Sequence, residues 1–137
     1  MKRKIKLDNR LFPKSNKIKQ PKIKDTINYD NEKPVFSFIY LDKNYGVDVC
    51  TGEEKLSFLQ TMLTLSKCTW STLKTAAKHG LGYEKIDKIN TSLPPQVTDD
   101  VQLIAFRFYK KAPMVGFRNN KTFHVVFLDR KFTLYDH

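Results

Sequence analysis

The pattern of hydrophobic and polar positions changes its rhythm at Val35. Before it, the run KRKIKLDNRLFPKSNKIKQPKIK scatters single apolar residues among lysines with neither a helical nor a strand period, and Pro13, Pro21 and Pro34 interrupt it. After it, VFSFIYL and YGVDVC are β-rich runs separated by the turn formers Asp42-Lys43-Asn44, which predicts a first hairpin within Val35–Cys50. Thr51-Gly52 ends that signal. From Glu53 to Lys67, Leu56, Leu59, Met62 and Leu63 recur at helical spacing, with Glu53 and Glu54 where the helix dipole favours acids. A second helix follows, capped by Thr69 or Ser71, with Trp70, Leu73, Ala76 and Ala77 on one face and Gly80 or Gly82 as terminator. Gly82 to Asp100 reads as a loop ended by Pro94-Pro95. Four further β-rich runs, Val101–Tyr109, Met114–Arg118, Thr122–Leu128 and Lys131–Asp136, have the short linkers of an antiparallel meander.

The predicted fold class is therefore α+β: an N-terminal β-hairpin, two helices, and a four-stranded antiparallel meander packed on those helices. The predicted organisation is a basic, flexible arm over 1–34 and a single domain over 35–137. Strand alternation sorts the meander into two faces. One collects Ile104, Phe106, Phe108, Val115, Phe117, Phe123, Val125, Phe127, Phe132 and Leu134, all apolar, and is expected on the core. The other holds Arg107, Tyr109, Arg118, His124, Tyr135 and His137.

Matching core residues across strands, with the shortest loops of the right parity, sets a register. Lys110–Pro113 as a four-residue loop pairs Arg107 with Gly116. Asn119–Lys121 as a three-residue loop, with Asn tolerating the left-handed position, pairs Phe117 with Phe123 and Gly116 with His124. Asp129-Arg130 as a two-residue turn pairs His124 with Tyr135. One row of the outer face then reads Arg107, Gly116, His124, Tyr135, and the next Ala105, Arg118, Thr122, His137. No carboxylate is expected from these rows.

Charge changes the picture next. The chain of 137 residues has 25 Lys and Arg against 14 Asp and Glu, a net of +11, which directs attention to polyanionic partners. Met1–Pro34 carries +7 of it and Val35–His137 only +4. Lys2, Arg3, Lys4 and Lys6 of the arm, with Lys78, Lys110 and Lys111 of the body, are the candidate phosphate contacts; Lys78-His79 also reads as a complement to a helix C-terminus. Cys50 and Cys68 form no CxxC pair and lie near no histidine cluster, so no metal site, disulfide framework or cofactor is expected. With no signal-peptide stretch and no run long enough to span a membrane, the expectation is a cytoplasmic protein without a membrane partner.

Two guanidinium groups, two imidazoles and a phenol on one face suit RNA cleavage through the neighbouring 2′-hydroxyl. Arg107 and Arg118 would hold phosphate, and His124, Tyr135 and His137 would supply acid, base or orientation. Each has a structural reading beside it: His124 as a half-buried core histidine, the arginines as solvated surface, Tyr135 as an ordinary β residue, His137 as the frayed last residue. Two helices, a curved meander with basic strands, and the segment MVGFRNNKTFHVVFLDRKFTLYDH resemble the RelE/ParE toxin superfamily, metal-independent endoribonucleases, over about Lys55–His137. The resemblance implies an RNA substrate, including ribosome-bound mRNA, and an acidic or disordered antitoxin as partner. Some members use a Glu as base, and none is evident on the expected face. The alternatives are a non-catalytic nucleic-acid-binding module using arm and sheet, and an interaction protein that meets an acidic partner.

Overall fold

A computed structural model describes residues 28–77 and 80–136. The elements are β1 (Val35–Ser37), α1 (Gly52–Leu65), α2 (Trp70–Thr75), β2 (Glu84–Ile86), β3 (Leu103–Tyr109), β4 (Ala112–Asn119) and β5 (Thr122–Leu128). They build an α+β fold around a mixed five-stranded sheet in the order β1-β5-β4-β3-β2.

The expected hairpin over Val35–Cys50 does not form. Its first run supplies β1, which pairs parallel with β5 and places Phe36 beside Phe123. Its second run curls into two single 3-10 turns, Lys43–Tyr45 and Val47–Val49. The Asp42 side chain accepts from Asn44 N–H at 2.8 Å and starts the first of these turns, the local competition by which Asp diverts a backbone from strand.

α1 lies near its expected limits and α2 starts where expected. α2 ends at Thr75, short of the expected Ala76, Ala77 and terminating Gly80 or Gly82, because Ala76 is already extended at ψ 157°. Thr51 Oγ1 accepts from Glu54 N–H at 3.1 Å while Glu54 Oε1 accepts from Thr51 N–H at 2.7 Å, a reciprocal capping box. Thr69, rather than Ser71, caps α2 by accepting from Thr72 N–H at 3.2 Å. The expected stripe of α1 is a different matter. Phe58 and Leu65 are buried, whereas Leu56, Leu59 and Leu63 face outward.

The meander has three strands, not four. Lys131–Asp136 is no strand, because the buried Asp129 carboxylate accepts from Thr133 N–H at 2.9 Å and Leu134 N–H at 2.8 Å and winds the segment around itself, with Phe132 at φ 65°. The β3–β4 turn uses two residues, Lys110-Lys111, with Lys110 at φ 53°. Arg107 therefore faces Pro113, and Gly116 faces Ile104. The β4–β5 turn is Asn120-Lys121, with Asn120 in the expected left-handed position at φ 60°, and it pairs Phe117 with His124 instead of Phe123.

These shifts divide the apolar residues between two faces. Against the helices lie Ile104, Phe106, Phe108, Met114, Phe123, Val125 and Leu128, with Phe58, Leu65, Trp70 and Leu73. On the opposite face Leu103, Ala105, Val115, Phe117, Val126, Phe127 and Leu134 form a second core under the irregular segments. A bulge between Val115 and Gly116 lets the neighbours Val126 and Phe127 both join that second core. The sheet is thus covered on both sides, and a single apolar face was the wrong expectation.

Candidate functional site

Trp70 is the hub of the helix face. It is wholly buried, packs on Phe106 and Phe123, and donates from Nε1 to Lys121 O at 3.0 Å. Arg118 belongs here. Opposite Phe123, it turns toward the helices with its guanidinium carbon 4.4 Å from the Trp70 ring centre, and donates to Asp30 Oδ1 at 2.9 Å and Asn120 O at 2.6 Å. Asp30 also accepts from Lys74 at 3.0 Å, and the hydrogen bonds from Lys74 and Arg118 hold its carboxyl below the usual range. The expected partnership of Arg118 with Arg107 is therefore replaced by a stacked ion pair on the other side of the sheet.

His124 does lie on the expected face, but apart from Arg107. Its row reads Leu103, Phe117, His124, and Arg107 lies four residues further along β3, roughly 14 Å along and two strand spacings, about 10 Å, across. The imidazole stacks on the ring of Phe117 at 4.9 Å and lies 5.2 Å from that of Tyr40, and the two aromatic rings are themselves 5.9 Å apart, so the three form one cluster. Its Nδ1 is buried without a hydrogen-bond partner among the described residues, and desolvation pushes its pKa below the ordinary value. Gly116 lies under this arrangement for a steric reason: a Cβ there would stand 1.9 Å from the His124 carbonyl oxygen.

Arg107 and Tyr135 do meet, through a residue outside the expected set. β2 is three residues long and pairs Glu84 with Ala105, so the Glu84 carboxylate stands beside Arg107. Arg107 Nη2 lies 3.4 Å from Glu84 Oε2, and Tyr135 donates to the same oxygen at 2.9 Å. Arg107 Nη1 donates to Lys111 O at 2.9 Å, and its guanidinium lies 5.6 Å from the centre of the Phe132 ring. The Arg107 and Glu84 side chains are 17% and 19% exposed, so the pair is shielded yet reachable. Burial, and then the hydrogen bond to the Glu84 carboxylate, push the Tyr135 phenol well above its ordinary pKa.

The expectation that no carboxylate serves this face is thus corrected. Glu84 escaped notice because a strand of three residues shows no alternation, and the sole signal was Ile86 closing an otherwise polar YEKI. Lys110 and Lys111 lie in the turn next to Arg107, where Lys110 Nζ is 5.1 Å from the Tyr109 ring centre. Lys2, Arg3, Lys4, Lys6, Lys78 and His137 lie outside the described residues.

Among the described residues no group of three His, Cys, Asp or Glu is placed to hold a metal ion, and no helix is long and apolar enough to cross a membrane. The wall of α1 adjoins the Arg107 segment: Ser57 donates to Phe108 O at 2.6 Å, and a groove of about 260 Å³ runs between Ser57, Gln60, Thr61 and Arg107. No family model, curated protein or solved structure matches the chain.

Proposed function

We propose that the protein is a metal-independent endoribonuclease, of the toxin type held in check by an acidic protein partner, and that its chemistry is centred on Arg107, Glu84 and Tyr135. The observation that carries this reading is the convergence of a guanidinium and a phenol on one carboxylate oxygen. Glu84, ionised beside Arg107, accepts the proton of a ribose 2′-hydroxyl. The 2′-oxygen attacks phosphorus, and the bond to the 5′-oxygen breaks. Tyr135, a protonated phenol at neutral pH, gives its proton to that leaving oxygen and regains one from Glu84 through their shared hydrogen bond. Protons balance, and the product end is a 2′,3′-cyclic phosphate.

Arg107 stabilises the charge on the phosphorane. Its 3.4 Å contact to Glu84 is long for a charge-assisted bond, so in this reading Nη2 is the nitrogen that exchanges Glu84 for phosphate while Nη1 keeps its bond to Lys111 O. Lys110 and Lys111 extend the positive surface for the flanking phosphates. His124, clustered with the Phe117 and Tyr40 rings, supports the sheet in this reading, and Arg118 anchors the helix face.

The test is incubation of the purified chain with free and ribosome-bound RNA in chelator, with mapping of cyclic phosphate ends. Cleavage is expected, and Arg107→Ala and Glu84→Gln are each expected to lower it by about 10²-fold or more. No cleavage of either substrate overturns the proposal. A second reading, a non-catalytic nucleic-acid-binding module, is favoured by the engagement of both Arg107 nitrogens within the protein and by the ten Lys and Arg against two acids in residues 1–27. It calls instead for binding without cleavage and a steep salt dependence that weakens when residues 1–27 are removed.

A further inference from the structure

Helix α1 carries two apolar stripes. Phe58 and Leu65 occupy the core side, while Leu56, Leu59 and Leu63 stand on the solvent side at 57%, 59% and 62% exposure. Intervals of three and four are the repeat of a seam between paired helices. A single exposed leucine is ordinary, but a continuous row on a surface helix marks an interaction site. Phe38, whose ring lies 6.0 Å from the core-side Phe58, and its neighbour Ile39 are also exposed, at 44% and 73%, but they are not part of the leucine stripe.

The charges at the ends of α1 choose an orientation. Glu53 is exposed in the first turn, and Lys67 is exposed just past the Ser66 C-cap. Laying α1 antiparallel on a copy of itself, centred between Leu59 and Gln60, puts Leu56 opposite Leu63 and Glu53 near Lys67 at both ends. The antiparallel sense also sets the two helix dipoles in opposition. A parallel pair would instead stack like charges. At about 100 Å² of exposed apolar surface per residue, the three leucines offer about 300 Å² per copy and about 600 Å² per pair, the size of a weak, reversible contact in which the paired charges at both ends set the orientation.

We propose that the protein pairs with a second copy of itself through α1, antiparallel about a two-fold axis near Leu59 and Gln60. The surface is self-complementary, as a two-fold contact requires. The interface stands independently of any nuclease activity.

Sedimentation equilibrium of the full chain, from low micromolar to hundreds of micromolar, tests it. A reversible monomer–dimer equilibrium is expected. Leu59→Glu is expected to leave only monomer with an unchanged far-UV circular dichroism spectrum, since the residue is exposed. Glu53→Lys and Lys67→Glu are each expected to weaken dimerisation about tenfold, and the double variant to restore it. Monomer throughout for the unaltered chain overturns the proposal, as when residues 1–27 or a different protein cover the stripe. Dimers that survive Leu59→Glu, or a charge swap that fails to restore pairing, overturn it equally.

Discussion

The two faces of the sheet are both buried, but they are buried by different means. The helix face is closed by Phe58, Leu65, Trp70 and Leu73 over an aromatic cluster in which Phe106 and Phe123 meet edge to face at 5.2 Å. Its ionic groups are the chain of Lys74, Asp30 and Arg118, which ends with the Arg118 guanidinium over the Trp70 ring. The opposite face is closed by irregular chain: Tyr40 and Tyr45 from the segment after β1, and Leu134 and Tyr135 from the end of the described chain. Polar groups there sit within the packing itself, with Glu84, Arg107 and Tyr135 in one contact and His124 against the Phe117 and Tyr40 rings. Regular helices can satisfy their own backbone and offer a dry stripe, whereas loops bring polar groups along. The difference places stability on one face and candidate chemistry on the other.

Truncating the hub of the helix face is expected to have the largest effect. Trp70→Ala should cost about 3–5 kcal/mol in denaturant unfolding, through the cavity and the lost bond to Lys121 O. A loss below about 1 kcal/mol would mean that the helix face is not the main anchor. On the other face, Tyr135→Phe keeps the ring and removes the hydroxyl with its hydrogen bond to Glu84, so the expected cost in the same measurement is about 1–2 kcal/mol. Matching losses at Trp70 and Tyr135 would erase the distinction between the faces.

The smallest effect is a pH dependence. His124 has a folded pKa below the ordinary 6.5, so between those values the unfolded chain binds more protons than the folded one. Stability is then full above about pH 6.5 and falls as pH drops toward the folded pKa. Asp30 and Glu54, both held low by cationic partners, lose their contributions only below their ordinary values of 3.8 and 4.5. A Tm measured between pH 7.5 and pH 5 should therefore fall more steeply for the unaltered chain than for His124→Phe. Parallel curves would place His124 in a site that tolerates its charge.

Legibility followed the range of the interactions. The helix starts were readable because the leucine period and the acids Glu53 and Glu54 mark α1 and Thr69 caps α2 within three residues of itself, whereas the early end of α2 at Thr75 was not. The spans of β3 and β5 were readable because each is seven residues long and strongly β-forming. Registers were less so, since exchanging a four-residue for a two-residue turn at Lys110-Lys111, with a bulge between Arg107 and Tyr109, changes every partner of Arg107. Arg107 and Tyr135 share a face but not the expected row, since Tyr135 comes from irregular chain and meets Glu84 in place of pairing with His124. Arg118 is not on that face, because the shifted parity turned it to Trp70, and Glu84 was hidden in a strand too short to carry a pattern.

The sequence by itself determined that this is an α+β chain, where its helices begin, and that its positive charge is concentrated before the sheet. Those properties follow from local capping, strand propensity and composition. Only the tertiary structure decided that β1 joins β5 in parallel, that both sheet faces are covered, that the leucines of α1 point outward, and that Glu84 is the residue joining Arg107 to Tyr135. Each of these depends on contacts between segments far apart in the chain, whose closure is settled by the packing of the whole and not by any local pattern.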